Sequence, residues 1–95
     1  MLDVQTTEVF DGWLDALDRS AQRRIAARLR KLSFGLWGDV KPVGEGVSEL
    51  REHFGPGYRL YVTQRGPVLV VVLAGGDKSS QQSDIAQAFL LARQL

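Results

Sequence analysis

Apolar and polar positions along this chain change period several times, and each change marks an element. Residues 2–6, Leu-Asp-Val-Gln-Thr, alternate as a short strand does. Thr6 or Thr7 can cap a helix whose first turn holds Glu8, where a negative charge is favoured. Phe10, Trp13, Leu14 and Leu17 then follow at i, i+3, i+4 and i+7, the stripe of an amphipathic helix. Asp18 or Ser20 opens a second helix with Ala21, Ile25, Leu29 and Leu32 inward, and the short break predicts an antiparallel helical hairpin. Residues 33–46 are glycine-rich and read as the longest irregular segment, with Gly35 suited to the helix C-terminus. Val47 to Phe54 alternates, Gly55-Pro56-Gly57 is a turn signal, Tyr58 to Thr63 alternates again, and Arg65-Gly66 marks a hairpin turn. Val68–Leu73 is apolar throughout, as a strand covered on both sides or lying beneath a site would be. Ile85, Ala88, Phe89, Ala92 and Leu95 line a final helix.

The predicted order is β-α-α-β-β-β-α within one domain, residues 1–95. The class is α+β: an antiparallel sheet with helices packed on one face and the other face partly open. Strand parity then separates two sets of side chains. Leu50, Leu60 and Val62 turn toward the helices, while Arg51, Arg59 and Tyr61 turn toward the open side. A turn centred near Pro56 sets Arg51 opposite Tyr61 and His53 opposite Arg59. Glu52 has the opposite parity and falls outside this set, Tyr58 belongs to the core, and Arg51 has Glu49 and Glu52 as possible ion-pair partners.

Gly75-Gly76-Asp77-Lys78 joins the last strand to the last helix. Glycines there let the backbone come close, free N–H groups at a helix start favour an anion, and Lys78 adds a full charge. The plain alternative is an ordinary strand-to-helix turn with a solvated lysine.

Composition narrows the classes. The chain has no cysteine and one histidine, which argues against disulfides, thiolate chemistry and an all-protein metal site; no metal or cofactor is expected. The longest apolar run, Val68–Ala74, is too short to span a membrane, and the start lacks the pattern of a secretory signal, so a cytoplasmic protein is expected. The net charge of +1 conceals a split: residues 1–18 carry five acids and no base, and residues 19–31 carry six bases and no acid. Either the two helices neutralise each other or the second presents a basic surface to an acidic partner.

Four stretches carry a family resemblance: Gly38-Asp39-Val40-Lys41-Pro42-Val43-Gly44, Gly46-Val47-Ser48-Glu49-Leu50-Arg51, Gly55-Pro56-Gly57-Tyr58-Arg59-Leu60-Tyr61, and Gly75-Gly76-Asp77-Lys78-Ser79-Ser80-Gln81 followed by Asp84-Ile85. In this order they resemble the addiction module killer protein (HigB/RelE-like) branch of the RelE/ParE toxin superfamily, over nearly the whole chain. The resemblance implies a bacterial type II toxin held inactive by a cognate antitoxin, a small helix-turn-helix protein encoded next to it. RelE-type members cleave mRNA on the ribosome; ParE-type members bind DNA gyrase instead, which is the alternative reading. The family's Gly-Tyr-Arg-Leu strand motif, matched by Gly57-Tyr58-Arg59-Leu60, implies that Arg59 meets the scissile phosphate. Lys78 stands where the family has its second basic residue. The two lysines that RelE carries upstream of that motif have only Arg51 as a counterpart, and the tyrosine of its last helix has none.

Metal-independent RNA cleavage needs a proton taken from the 2′-OH, stabilisation of the extra charge on the phosphorane, and a proton for the departing 5′-oxygen. Arg59 and Lys78 suit the charge, with Arg51 beside them. His53 or Lys41 are the candidates for moving protons, His53 having the suitable ordinary pKa. Lys41, Tyr61 and Arg65 are the expected RNA contacts, cations for phosphate and an aromatic ring for a base.

Overall fold

The computed structural model describes residues 1–95. Strand β1 (Asp3–Thr6) leads into helix α1 (Glu8–Asp15) and helix α2 (Arg19–Ser33); strands β2 (Val40–Gly44), β3 (Val47–Arg51), β4 (Tyr58–Arg65) and β5 (Leu69–Asp77) follow. A single 3₁₀ turn, Lys78–Ser80, then leads into helix α3 (Gln81–Arg93). The fold is α+β, with three helices and a five-stranded sheet in the order β1-β5-β4-β3-β2. No helix is long and apolar enough to cross a membrane.

The helix starts are fixed by the residues named from sequence. Thr7 caps α1 by accepting from the Phe10 amide at 3.1 Å, and its hydroxyl donates to the Leu73 carbonyl at 2.6 Å, so one side chain both starts the helix and anchors it to β5. Asp18 caps α2, accepting from the Ala21 amide at 2.8 Å. Phe10, Ile25 and Leu32 are buried with Leu50, Leu60, Val62, Val70 and Val72, and Trp13, Leu14 and Leu17 pack against this cluster.

Three features differ from the sequence reading. The segment 33–46 holds a fourth antiparallel strand, β2, which forms the sheet edge. Glu45 and Gly46, both with positive φ (51° and 76°), close a two-residue hairpin onto β3. Pro42 is tolerated there because an edge strand has N–H positions that pair with nothing. Second, the sheet is mixed, since β1 runs parallel to β5. Third, helices cover both faces. Helices α1 and α2 lie over one face, while α3 lies over the other on a second cluster of Val47, Tyr61, Val71, Leu73, Ala74, Ala88 and Ala92. The small residues Ala88 and Ala92 let α3 sit close to the sheet.

Strand β5 contains a bulge: Tyr61 pairs with Ala74 and Val62 with Val72, leaving Leu73 as the extra residue. The bulge exchanges the parity of everything after it. Gly75 consequently faces α1, where a Cβ would collide with the Trp13 ring, and Gly76 faces α3, where a Cβ would fall on the Asp84 carboxylate. Both glycines lie within the strand and serve close packing of those two side chains, not a loop that turns around an anion.

Candidate functional site

The strand register brings two arginines face to face. Arg51 on β3 is the direct partner of Arg59 on β4, and Glu49 is the partner of Tyr61. The turn is centred on Gly55 rather than Pro56, which corrects the expected pairing of Arg51 with Tyr61 and of His53 with Arg59. The parity itself holds: Glu49, Arg51, Arg59 and Tyr61 share the α3 face, and Leu50, Leu60 and Val62 the other.

Glu49 organises this face. Its carboxylate is fully buried and accepts from Arg51 Nε at 3.0 Å, Gln81 Nε2 at 2.8 Å and the Tyr61 hydroxyl at 3.1 Å. Burial pushes its pKa up, but the hydrogen bonds from Arg51, Gln81 and Tyr61 outweigh that, and the carboxyl is held below its ordinary range. Burial, then the Glu49 charge and the bond to it, push the Tyr61 hydroxyl well above its ordinary value. Tyr61 is wholly buried, so it offers no surface to a base; the expected stacking role is corrected.

Arg59 is almost buried, with 8% of its side chain exposed. Its Nη1 donates to the Glu52 carbonyl at 3.2 Å and the Tyr58 carbonyl at 3.1 Å. Nε lies 3.9 Å from Glu49, an ion-pair distance but no hydrogen bond, and makes no other bond. Nη2 makes no hydrogen bond within the chain. The guanidinium is thus fixed on two sides with one edge left to act.

Lys78 is exposed, and its stem lies along the β3–β4 turn: a Cβ on Gly57 would come within 2.8 Å of Lys78 Cε. That places Lys78 on the turn which carries Arg59. The helix-start N–H groups beside it are taken by the chain's own acid. Asp77 caps the turn, accepting from the Ser79 amide at 2.8 Å and the Ser79 hydroxyl at 2.5 Å, and these bonds lower its pKa. Of the anion cradle read from Gly75-Gly76-Asp77-Lys78, only the lysine remains free.

The other expected site residues are tied elsewhere, except Lys41, which shares the sheet face of Glu49. His53 pairs with Asp39 at 2.6 Å, an exposed contact that holds the Asp39 carboxyl below its usual range. Lys41 on β2 stands across from Glu49 in register and is exposed. Arg65 donates to the Ala92 carbonyl at 2.8 Å and so caps the end of α3. Glu52 lies outside the arginine pair's face, as its parity requires, and pairs with Arg28 at 3.3 Å. Tyr58 packs edge-on against Trp13 at 5.8 Å between centroids, in keeping with a core role.

Sequence reasoning missed Glu49 and Gln81 as site organisers. Glu49 shares the parity of Arg51, the face expected to be open, so its burial beneath α3 had no signal in the local sequence. The neutralising helix pair also fails: no acid of α1 pairs with α2, and of the six cations on α2 only Arg28 has an acidic partner.

Residues 12–94 match the family described as phage derived protein Gp49-like, and the chain belongs to that family. It is also 47% identical, over 99% of its own length and 96% of the other's, to an uncharacterized protein of Haemophilus influenzae (strain ATCC 51907 / DSM 11121 / KW20 / Rd).

Proposed function

We propose that this Gp49-like protein is the toxin of a type II toxin–antitoxin module of the RelE/ParE superfamily, and that it cleaves mRNA on the ribosome. The observation that carries the reading is the Arg51–Arg59 cross-strand pair, held by the buried Glu49, with the free edge of Arg59 beside the turn that Lys78 overlies. In the proposed reaction the 2′-oxygen attacks phosphorus as its proton leaves to a base. The P–O5′ bond breaks, the 5′-oxygen takes up a proton, and a 2′,3′-cyclic phosphate and a 5′-hydroxyl result. Arg59 and Lys78 would stabilise the charge on the phosphorane, Arg51 would steady the neighbouring phosphate, and Glu49 would position both arginines without touching the RNA. The partner of this reading is an antitoxin encoded by the adjacent reading frame.

A second reading, a ParE-like toxin that binds DNA gyrase, is favoured by the burial of Arg59, whose Nη1 is already spent on two carbonyls. One experiment separates the two. Purified protein is assayed on mRNA with translating ribosomes, by primer extension, and on gyrase supercoiling. Cleavage with untouched gyrase is the expected result; gyrase inhibition without cleavage would overturn the ribonuclease reading.

A further inference from the structure

On the far side of β3 from the arginine pair an open groove of about 630 Å³ runs between α2 and the β3–β4 turn. Its rim carries Arg24, Lys31 and His53, and its walls include Phe54 and Leu36. Arg28 forms the floor, donating to the carbonyls of Arg51 (2.8 Å), Trp37 (2.9 Å) and Asp39 (2.8 Å). With Arg28 consumed in this way, Arg24 and Lys31 are the groove's free cations on α2, and neither has an acidic partner. The Arg24 guanidinium stands 4.5 Å over the Phe54 ring, a cation and an aromatic face stacked at the groove wall. Leu36 is 60% exposed there.

The groove is joined to the arginine pair through one residue. The Glu52 carbonyl accepts from Arg59 on one side of the strand end, and the Glu52 carboxylate pairs with Arg28 on the other. A chain that rounds the strand end from Arg59 by way of Glu52 and His53 would meet Arg24 and Lys31, which lie seven residues apart on α2, about 10 Å along the helix. Unpaired cations flanking an aromatic face are the groups that hold single-stranded RNA, phosphates on the charges and a base on the ring or on the guanidinium plane.

We infer that this groove is an RNA exosite, seating a nucleotide that flanks the cleaved position, with its base on the guanidinium plane of Arg24, which the Phe54 ring backs, and its phosphates on Arg24 and Lys31. The inference rests on the ribonuclease reading, and it places substrate affinity on α2, apart from the reacting phosphate.

The test compares wild type, Arg24→Gln/Lys31→Gln and the charge-keeping Arg24→Lys/Lys31→Arg on mRNA with translating ribosomes, together with binding to a short single-stranded RNA oligonucleotide across a salt series. The Gln pair should raise KM about tenfold with kcat unchanged, and lower the salt slope of binding by about 1.4, roughly 0.7 for each phosphate no longer neutralised. The Lys/Arg pair should restore most of the affinity. Phe54→Leu keeps the apolar packing, removes the ring, and should raise KM with kcat unchanged. An unchanged KM in the Gln pair overturns the exosite and leaves the ribonuclease reading standing. A wild type that neither binds nor cleaves RNA overturns both. Loss of antitoxin binding in the Gln pair, with RNA affinity intact, reads the groove as a protein dock and overturns the RNA assignment.

Discussion

Glu49 and Arg51, two residues apart on one face of β3, are joined at 3.0 Å, and the same carboxylate also holds Tyr61 and Gln81. One buried acid therefore ties β3 to β4 and to α3. Removing it leaves a buried hydroxyl and an amide without partners, and the near-buried Arg59 charge without its counter-charge. Glu49→Ala should cost about 3–5 kcal/mol. Glu49→Gln keeps the shape and some of the hydrogen bonds and should cost about 1–3 kcal/mol. Urea unfolding followed by tryptophan fluorescence checks both, and a loss under about 1 kcal/mol in Glu49→Ala would remove Glu49 from the centre of this network.

The same network sets the pH range of stability. The Glu49 carboxyl is depressed in the folded chain, so the unfolded chain binds more protons below the ordinary value of 4.5. Its contribution is complete above that value and is lost as pH falls through the depressed folded value. Tyr61 works in the other direction. Its folded value is raised, so its contribution is complete below the ordinary 10.0 and is lost as pH rises beyond it. Melting temperature should therefore fall below about pH 4.5 and above about pH 10, and Tyr61→Phe should flatten the alkaline flank. An unaltered alkaline flank in that variant would contradict the assignment.

Arg59 combines packing and proposed chemistry, so alanine is a poor probe: the side chain is nearly buried, and its removal would disturb the Glu49 network as well. Arg59→Lys keeps the charge and loses the fork that presents Nη2. Cleavage should drop roughly a hundredfold, about 3 kcal/mol of transition-state stabilisation, with the fold retained by circular dichroism. A folded Arg59→Lys protein with wild-type cleavage would remove Arg59 from the phosphate.

Gly75 and Gly76 give a test of the strand reading against the loop reading. A Cβ at Gly75 meets the Trp13 ring, and one at Gly76 meets Asp84 and Ser80. Gly75→Ala should cost about 1–3 kcal/mol through overpacking, measured by thermal or urea unfolding. If these glycines merely bent a loop around an anion, the same change would lower activity with little loss of stability.

How far the sequence carried can be seen at particular residues. The two helices were legible because Phe10, Trp13 and Leu14 keep a helical period and Asp18 is a strong cap. The two-faced sheet was legible at Leu50, Leu60 and Val62 against Arg51 and Arg59, since parity needs no knowledge of register. Register itself was not, because the turn holds two glycines with positive φ, Gly55 and Gly57, and its centre depends on which residues they release from pairing. Strand β2 was hidden by Pro42, Gly44 and Gly46, which read as irregular and are tolerated because the strand is an edge. The bulge at Leu73 was invisible in a run apolar at every position, where no alternation exists to be broken. The candidate site was read as cations on an open face; the acid that organises them is buried by α3, and nothing local to Glu49 announces that cover.

Lys78 is the last element of the proposed site, and its place depends on a residue that carries no charge. Its stem crosses Gly57, which has a φ of +81° and no room for a Cβ. Lys78→Arg should keep substantial cleavage, because the charge and the direction of the stem persist. Lys78→Gln should lose tenfold or more, about 1.4 kcal/mol, because the length persists and the charge does not. Gly57→Ala should imitate Lys78→Gln by pushing the intact lysine aside, and should also lose about 1–2 kcal/mol of stability to the left-handed backbone. The three variants are compared on mRNA with translating ribosomes, with unfolding measured alongside. Equal activity in Lys78→Gln and wild type would take Lys78 out of the site. Activity lost in Gly57→Ala but not in Lys78→Gln would mean that the turn, and not the ammonium group, supports Arg59.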